Sequence, residues 1–240
     1  MIFDVAPLVF GILAGAVAAV SGFGIGSILT PVLASQVGTK LAVGAVSIPH
    51  LLGTAARFWT LRRHVHGRIL LRFGLLSAAG GLTGALLNAR LNNRLLTGIF
   101  GALLVFAGLT GLIGVAEKMR FDRKTAWIAG ALSGFFGGLV GNQGGIRSAA
   151  LMGFDISPQQ FVATATAIGL IVDAARMPVY LAVEYKEVLA ISGWVLLAVV
   201  GVLIGTVLGL RVLQRVPQSQ FRRIVSLMIL GLGIYMLSHV

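Results

Sequence analysis

The chain contains no cysteine, which excludes disulfides, thiolate metal sites and redox thiols. Acidic residues are scarce: Asp and Glu together number 7 among 240 residues, against 19 Lys and Arg. Only 11% of residues are charged and 57% are hydrophobic, and no stretch is polar enough for a soluble domain or rich enough in Ser, Pro or charge for a linker. The alternation of apolar and polar residues that marks a membrane β-barrel is missing. So are a His-x-x-x-His metal spacing and paired catalytic carboxylates. No Lys or Arg precedes Lys40, so the basic region of a secretory signal is lacking and the first apolar segment is expected to belong to the mature chain.

What remains is apolar sequence in long runs: Leu41 to Leu61, Ile69 to Leu87, Leu95 to Ala116, Val188 to Leu210 and Ile224 to Leu237. Each approaches or exceeds the length that crosses a ~30 Å hydrocarbon core. The chain therefore reads as an all-α polytopic membrane protein. Its formal charge of +12 sits mostly in short loops between these runs, which fits cytoplasmic loop bias and excludes a nucleic-acid partner.

A glycine-broken apolar segment occurs twice, as Ser21-Gly22-Phe23-Gly24-Ile25-Gly26-Ser27 and as Gly137-Gly138-Leu139-Val140-Gly141-Asn142-Gln143-Gly144-Gly145-Ile146-Arg147. An unpaired amide in lipid costs several kcal/mol, so an interrupted membrane helix has a reason, and matched interruptions in two halves point to a transporter's binding site. Other features repeat in step. Ala55-Ala56-Arg57 matches Ala174-Ala175-Arg176 at an offset of 119, and Gly80, Gly84 and Arg90 match Gly201, Gly205 and Arg211 at 121. These matches argue for duplication of a unit of roughly 115 residues. The first repeat is 1–116, with a broken segment at 8–36 and helices at 41–61, 69–87 and 95–116. The second is 117–240, with a broken segment at 126–154 and helices at 159–183, 188–210 and 222–238.

If each broken segment crossed the membrane once, loop charges would divide nine against seven. If each is a re-entrant hairpin, its ~13-residue limbs are roughly 20 Å long, too short to span. Arg62 to Arg72, Lys118 to Lys124 and Arg211 to Arg223 then share one face. Lys40, Arg90, Arg94 and Lys186 share the other, a division of twelve against four. The expectation is six spanning helices, two hairpins, two inverted repeats and both termini outside.

At a hairpin tip, amides opening the second limb point at an anion, which assigns substrate binding to Gly22, Gly24, Gly26, Ser27, Gly144 and Gly145. Tight helix packing is the alternative, and it suits Gly80, Gly84, Gly201, Gly205 and Gly209 better. Asn142 and Gln143 at the second tip either coordinate the ligand or satisfy the freed backbone. Arg147 lies one turn into the second limb; it is a substrate-binding cation or a structural ion pair with Asp155 or Asp173. Arg57 and Arg176 occupy equivalent repeat positions and either reach a central site or snorkel. Asp173 precedes Arg176 by three residues, so it is a local salt bridge or a carboxylate that couples transport to protons. His50, mid-helix, is a satisfied buried histidine or part of a proton relay. His64 and His66 in the basic loop have no assigned role. Gly22-Phe23-Gly24-Ile25-Gly26 is not a dinucleotide loop, because no βαβ unit surrounds it. Ser21 and Ser133 lack the context of an intramembrane serine nucleophile.

The broken segments and the duplication resemble the TauE/SafE family of sulfite exporters over essentially the full chain. The resemblance is carried by Gly22 to Leu33, ending Thr30-Pro31-Val32-Leu33, and by Gly141 to Leu151 with Gly144-Gly145. Ala149 stands where the second copy usually has proline, and Ser27 and Asn142 interrupt the glycines. The resemblance implies a non-enzymatic transporter in the bacterial inner membrane that exports a small sulfur-containing anion, sulfite or an organosulfonate, with no cofactor, no metal and no ATPase site. Alternating access with proton coupling is the expected mechanism, and a passive anion channel on the same scaffold is the alternative. Oligomeric state is not implied.

Overall fold

A computed structural model describes residues 2–114, 123–142, 144–151, 154–212 and 218–240. Among them every regular element is helical. The helices are α1 (Ile2–Ser21), α2 (Ile25–Val37), α3 (Thr39–Leu61, extended by a 3-10 turn at Arg62–His64), α4 (Gly67–Arg90) and α5 (Asn93–Ile113). The second half holds α6 (Arg123–Val140), α7 (Gly144–Leu151), α8 (Pro158–Ala190), α9 (Ser192–Val212) and α10 (Gln218–Leu237). Five are long and apolar enough to cross a membrane: Thr39–His64, Gly67–Arg90, Asn93–Ile113, Gln159–Ala190 and Ser192–Gly209. The apolar part of α10, Arg223–Leu237, is shorter.

The expected helices 41–61, 69–87 and 95–116 fall on α3, α4 and α5, although residues 115 and 116 lie outside the described chain. The expected loop at 184–187 is instead helical. The chain stays helical to Ala190, with one non-helical residue at Glu184 (φ −124, ψ 17). Glu and Lys are good helix formers, so a charge cluster does not by itself end a helix.

Both broken segments end their first helix alike. Gly22 (φ 79) and Gly141 (φ 77) adopt the left-handed conformation that favours glycine. Each donates its amide four residues back, Gly22 to Ala18 and Gly141 to Gly137, both at 3.0 Å. The chain turns again at Gly38 (φ 81), and α2 runs back along α3, with Ile25 against Gly53. Ala6, Pro7 and Phe10 of α1 share an apolar groove with Pro31, Leu33 and Gln36 of α2.

Two seams bring backbones into contact. Gly201, Gly205 and Gly209 of α9 lie on the Leu8, Ile12 and Ala16 carbonyls of α1, in parallel. Gly134 and Gly138 of α6 lie on the Ser77 and Gly81 carbonyls of α4, also in parallel. Small residues permit this approach, and close packing stands in for hydrophobic burial within lipid. The packing role assigned to Gly80, Gly84, Gly201, Gly205 and Gly209 is what the contacts display. Two other pairs run antiparallel: α5 with α10 (Gly101 on Leu237, Gly108 on Leu230, Gly111 on Ser226) and α3 with α8. Along the latter, Gly44 meets Glu184, His50 meets Asp173, Thr54 meets Gly169 and Arg57 meets Thr166.

A Cβ on Gly134 would overlap the Ser77 carbonyl oxygen, whereas one on Gly193 would meet nothing within 4 Å. Gly134→Ala is expected to lower the melting temperature in detergent, because overpacking costs about 1–3 kcal/mol and outweighs the helix-propensity gain of about 1. Gly193→Ala is expected to leave it unchanged or slightly raised.

Candidate functional site

The two breaks press on each other at the middle of the molecule. A Cβ on Gly26 would overlap the Gly141 carbonyl oxygen, and one on Gly144 would overlap the Phe23 side chain. Ser27 Oγ donates to Asn142 Oδ1 at 3.3 Å, tying one break to the other. A small cavity opens at this junction. Gly22, Phe23, Gly24, Gly26 and Ser27 line it from the first break, and Gly141, Gly144 and Arg147 from the second. The antiparallel pair closes it with His50, Thr54 and Arg57 of α3 and Ala165, Thr166 and Gly169 of α8. Helices α2 and α7 both begin here, so first-turn amides and the positive ends of two helix dipoles gather at one place.

Three arginines are buried at this level. Arg57, 3% exposed, donates from Nε to Thr166 Oγ1 at 3.1 Å. Arg57 lines the cavity, and its Nη1 is buried with no hydrogen-bond partner among the described residues. Arg147, 4% exposed, donates from Nη1 to the Ala165 carbonyl at 3.3 Å. Gly169 makes room for it, since a Cβ there would lie 3.0 Å from Nη1. Arg176 stands behind the cavity wall. Its Nε and Nη2 lie 3.0 and 2.8 Å from Asp173 Oδ1, and Nη1 donates to the Gly137 carbonyl. The Tyr180 hydroxyl donates to the next carbonyl, that of Gly138.

Asp173 is fully buried, and its two oxygens face different groups. Oδ1 faces Arg176, and Oδ2 lies 2.6 Å from His50 Nδ1. A carboxylate already held by a guanidinium acts as acceptor, which places a proton on His50 Nδ1. His50 also lines the cavity. Three buried guanidinium groups thus share the electrostatic neighbourhood of one buried carboxylate, an excess of positive charge that is costly unless an anion joins it.

Of the residues singled out from sequence, Gly22, Gly24, Gly26, Ser27, Gly144, Arg147, Arg57 and His50 line the cavity. Asn142 touches its edge through Ser27, and Asp173 and Arg176 lie one layer behind. Gly145 faces Ala107 of α5, the nearest atom to a Cβ there. Gln143 lies outside the described residues. The Arg176–Asp173 salt bridge is present, while Asp155, the other carboxylate considered for Arg147, is exposed. Sequence reasoning missed Thr54, Thr166 and Gly169. The signal was available: His50, Thr54 and Arg57, and Thr166, Gly169, Asp173 and Arg176, recur at three- and four-residue steps on otherwise apolar helices. Among the described residues no group of His, Asp or Glu is arranged to hold a metal ion.

Removing the carboxylate leaves Arg176 and His50 buried without their charge partner. Asp173→Ala is expected to cost about 3–5 kcal/mol of stability, read as a lowered thermal midpoint in detergent. The exposed Asp155→Ala is expected to fall within about 0.5 kcal/mol of the parent.

A family model described as Sulfite exporter TauE/SafE matches residues 8–236, a span that includes both breaks and the cavity between them. Neither the curated proteins nor the solved structures yield a match. With the match covering nearly the whole chain, this polytopic helical protein belongs to the TauE/SafE sulfite exporter family, a family of membrane transporters.

Proposed function

We propose that the chain is a secondary transporter that exports a compact sulfur oxyanion, sulfite or a small organosulfonate, from a site at the junction of the two breaks. The observation that carries this reading is the buried Arg57 Nη1, partnerless among the described residues, on an arginine that lines the cavity together with Arg147. Sulfite and sulfonates present several acceptor oxygens, which suit guanidinium forks and helix-opening amides together. Binding residues are Arg57, Arg147, Ser27 and the backbone at Gly22, Gly24, Gly26 and Gly144, with Asn142 bracing the pair of breaks and Arg176 holding Asp173 in place. Gly145 follows Gly144 in the first turn of α7, and Gln143, outside the described residues, stays in the proposed binding set on its sequence position alone. The limited size of the cavity favours an anion with little or no organic tail.

The same reading takes the broken segments as re-entrant hairpins and the repeats as inverted. Support comes from the directions of packing. Counterpart helices α3 and α8 run antiparallel, as do α5 and α10, which suits repeats related by an axis in the membrane plane. The return of α2 along α3, and the groove shared by α1 and α2, suit a segment that enters and leaves on one side. Six spans, with α10 as the sixth, then place both termini outside the bacterial inner membrane. Rocking of one repeat against the other gives alternating access. The His50–Asp173 pair, one side on the cavity, supplies a proton-binding group for coupling.

Purified protein in liposomes is expected to take up sulfite, saturably and in response to an imposed pH gradient. Arg57→Gln and Arg147→Gln are each expected to lower that flux at least about tenfold, the scale on which one lost charge-assisted hydrogen bond acts. Flux that fails to saturate and ignores the gradient would instead identify a channel. A reporter fused after Val240 is expected to read outside; a cytoplasmic reading overturns the six-span topology.

A further inference from the structure

The polar face of α8 does not stop at the cavity. Beyond Asp173 it continues through Arg176 and Tyr180 to Glu184, each buried. Glu184 is 7% exposed, although its neighbours at 181–183 and 185–187 are all exposed. Its carboxylate turns inward onto α3, where a Cβ on Gly44 would lie 2.5 Å from Oε2. Oε2 itself is buried with no hydrogen-bond partner among the described residues. At the same residue the backbone of α8 leaves helical geometry. Glu184 lies eleven residues past Asp173, about 16 Å along the helix, so it is not part of the His50–Asp173 pair.

A charged carboxylate oxygen held out of water without a partner is costly, and the neutral acid much less so. The charged groups that face Glu184 are Lys40 at the start of α3 and Glu187 one turn on in α8, with the Tyr180 hydroxyl one turn before. Lys40 Nζ donates to the Ala89 carbonyl at 2.6 Å, so it offers Glu184 no hydrogen bond in this arrangement. We propose that Glu184 is a second proton-binding site, at the Lys40 end of the α3–α8 interface. Its carboxyl rests on Gly44 when protonated and turns out to Lys40 when ionised. The break in α8 at this residue lets the side chain change places without unwinding the helix on either side. In transport, the site sets the pH dependence of one mouth of the pathway; that role rests on the export reading above, while the proton site itself does not.

The test uses the full chain in liposomes and a hydrophobic carbodiimide, which modifies protonated carboxyls in apolar surroundings. Peptide mass spectrometry reads the modification at Glu184 and at exposed Glu187 from about pH 6 to about pH 9. At neutral pH, labelling at Glu184 is expected to exceed that at Glu187 by about tenfold and to decline towards alkaline pH. Gly44→Ala, which fills the seat, is expected to bring Glu184 down to the Glu187 level. Lys40→Gln, which removes the outward charge together with its hydrogen bond to the Ala89 carbonyl and leaves Gly44 untouched, is expected to preserve the labelling at alkaline pH. Equal labelling of Glu184 and Glu187 in the parent chain, or no response to either substitution, overturns the proposal. Sulfite flux is measured on the same liposomes, with Glu184→Gln expected to flatten its pH dependence. Absent flux with the expected labelling defeats the export reading and leaves the proton site standing. Normal flux with equal labelling does the reverse.

Discussion

One carboxylate ties three helices together. Asp173 on α8 takes His50 from α3 on one oxygen and Arg176 from its own helix on the other, and Arg176 in turn holds the Gly137 carbonyl of α6. A charge at this depth is tolerated only when paired and hydrogen-bonded, so the three helices are fixed in relative position by the need to satisfy it. The cavity inherits that order. His50 reaches it from one side of the carboxylate, and Arg176 anchors the end of α6 just before the Gly141 break that forms its floor.

Around this centre the helices pack by two different means. The outer seams, α1 with α9 and α4 with α6, rely on glycine to bring backbones together, and across the second Ser77 and Asn88 donate to the Gly130 and Leu139 carbonyls. The central α3–α8 pair is the opposite. Its contact face carries polar and charged groups at helical spacing, and its packing is a succession of specific contacts from Gly44–Glu184 to Arg57–Thr166. Seams of the first kind are suited to hold a shape, and a face of the second kind to bind and release an ion.

Much of this was legible in the chain itself. The glycine breaks, the offset of 119 and the intramembrane arginines marked the cavity from both halves, because each violates what lipid ordinarily permits. The left-handed glycines at 22 and 141 carry that offset into backbone geometry. Two things were not legible. Arg57 and Arg176 are equivalent by repeat, yet one faces the cavity and the other an aspartate. The reason is that position 54, equivalent to Asp173, is a threonine, and sequence symmetry cannot weigh partners that differ between copies. The charge cluster at 184–187 reads as a loop, but helix propensity carries α8 through it and turns only Glu184 inward.

The contact between the breaks also bears on how such a chain can change over generations. Gly26 abuts Gly141, and Gly144 abuts Phe23, so each break is the mould for the other. A side chain gained at Gly26 would be driven into the Gly141 carbonyl, and one gained at Gly144 into the Phe23 side chain. The junction therefore has room for polar decoration, as at Ser27 and Asn142, while Gly26 and Gly144 are held to the minimum bulk an amino acid can have.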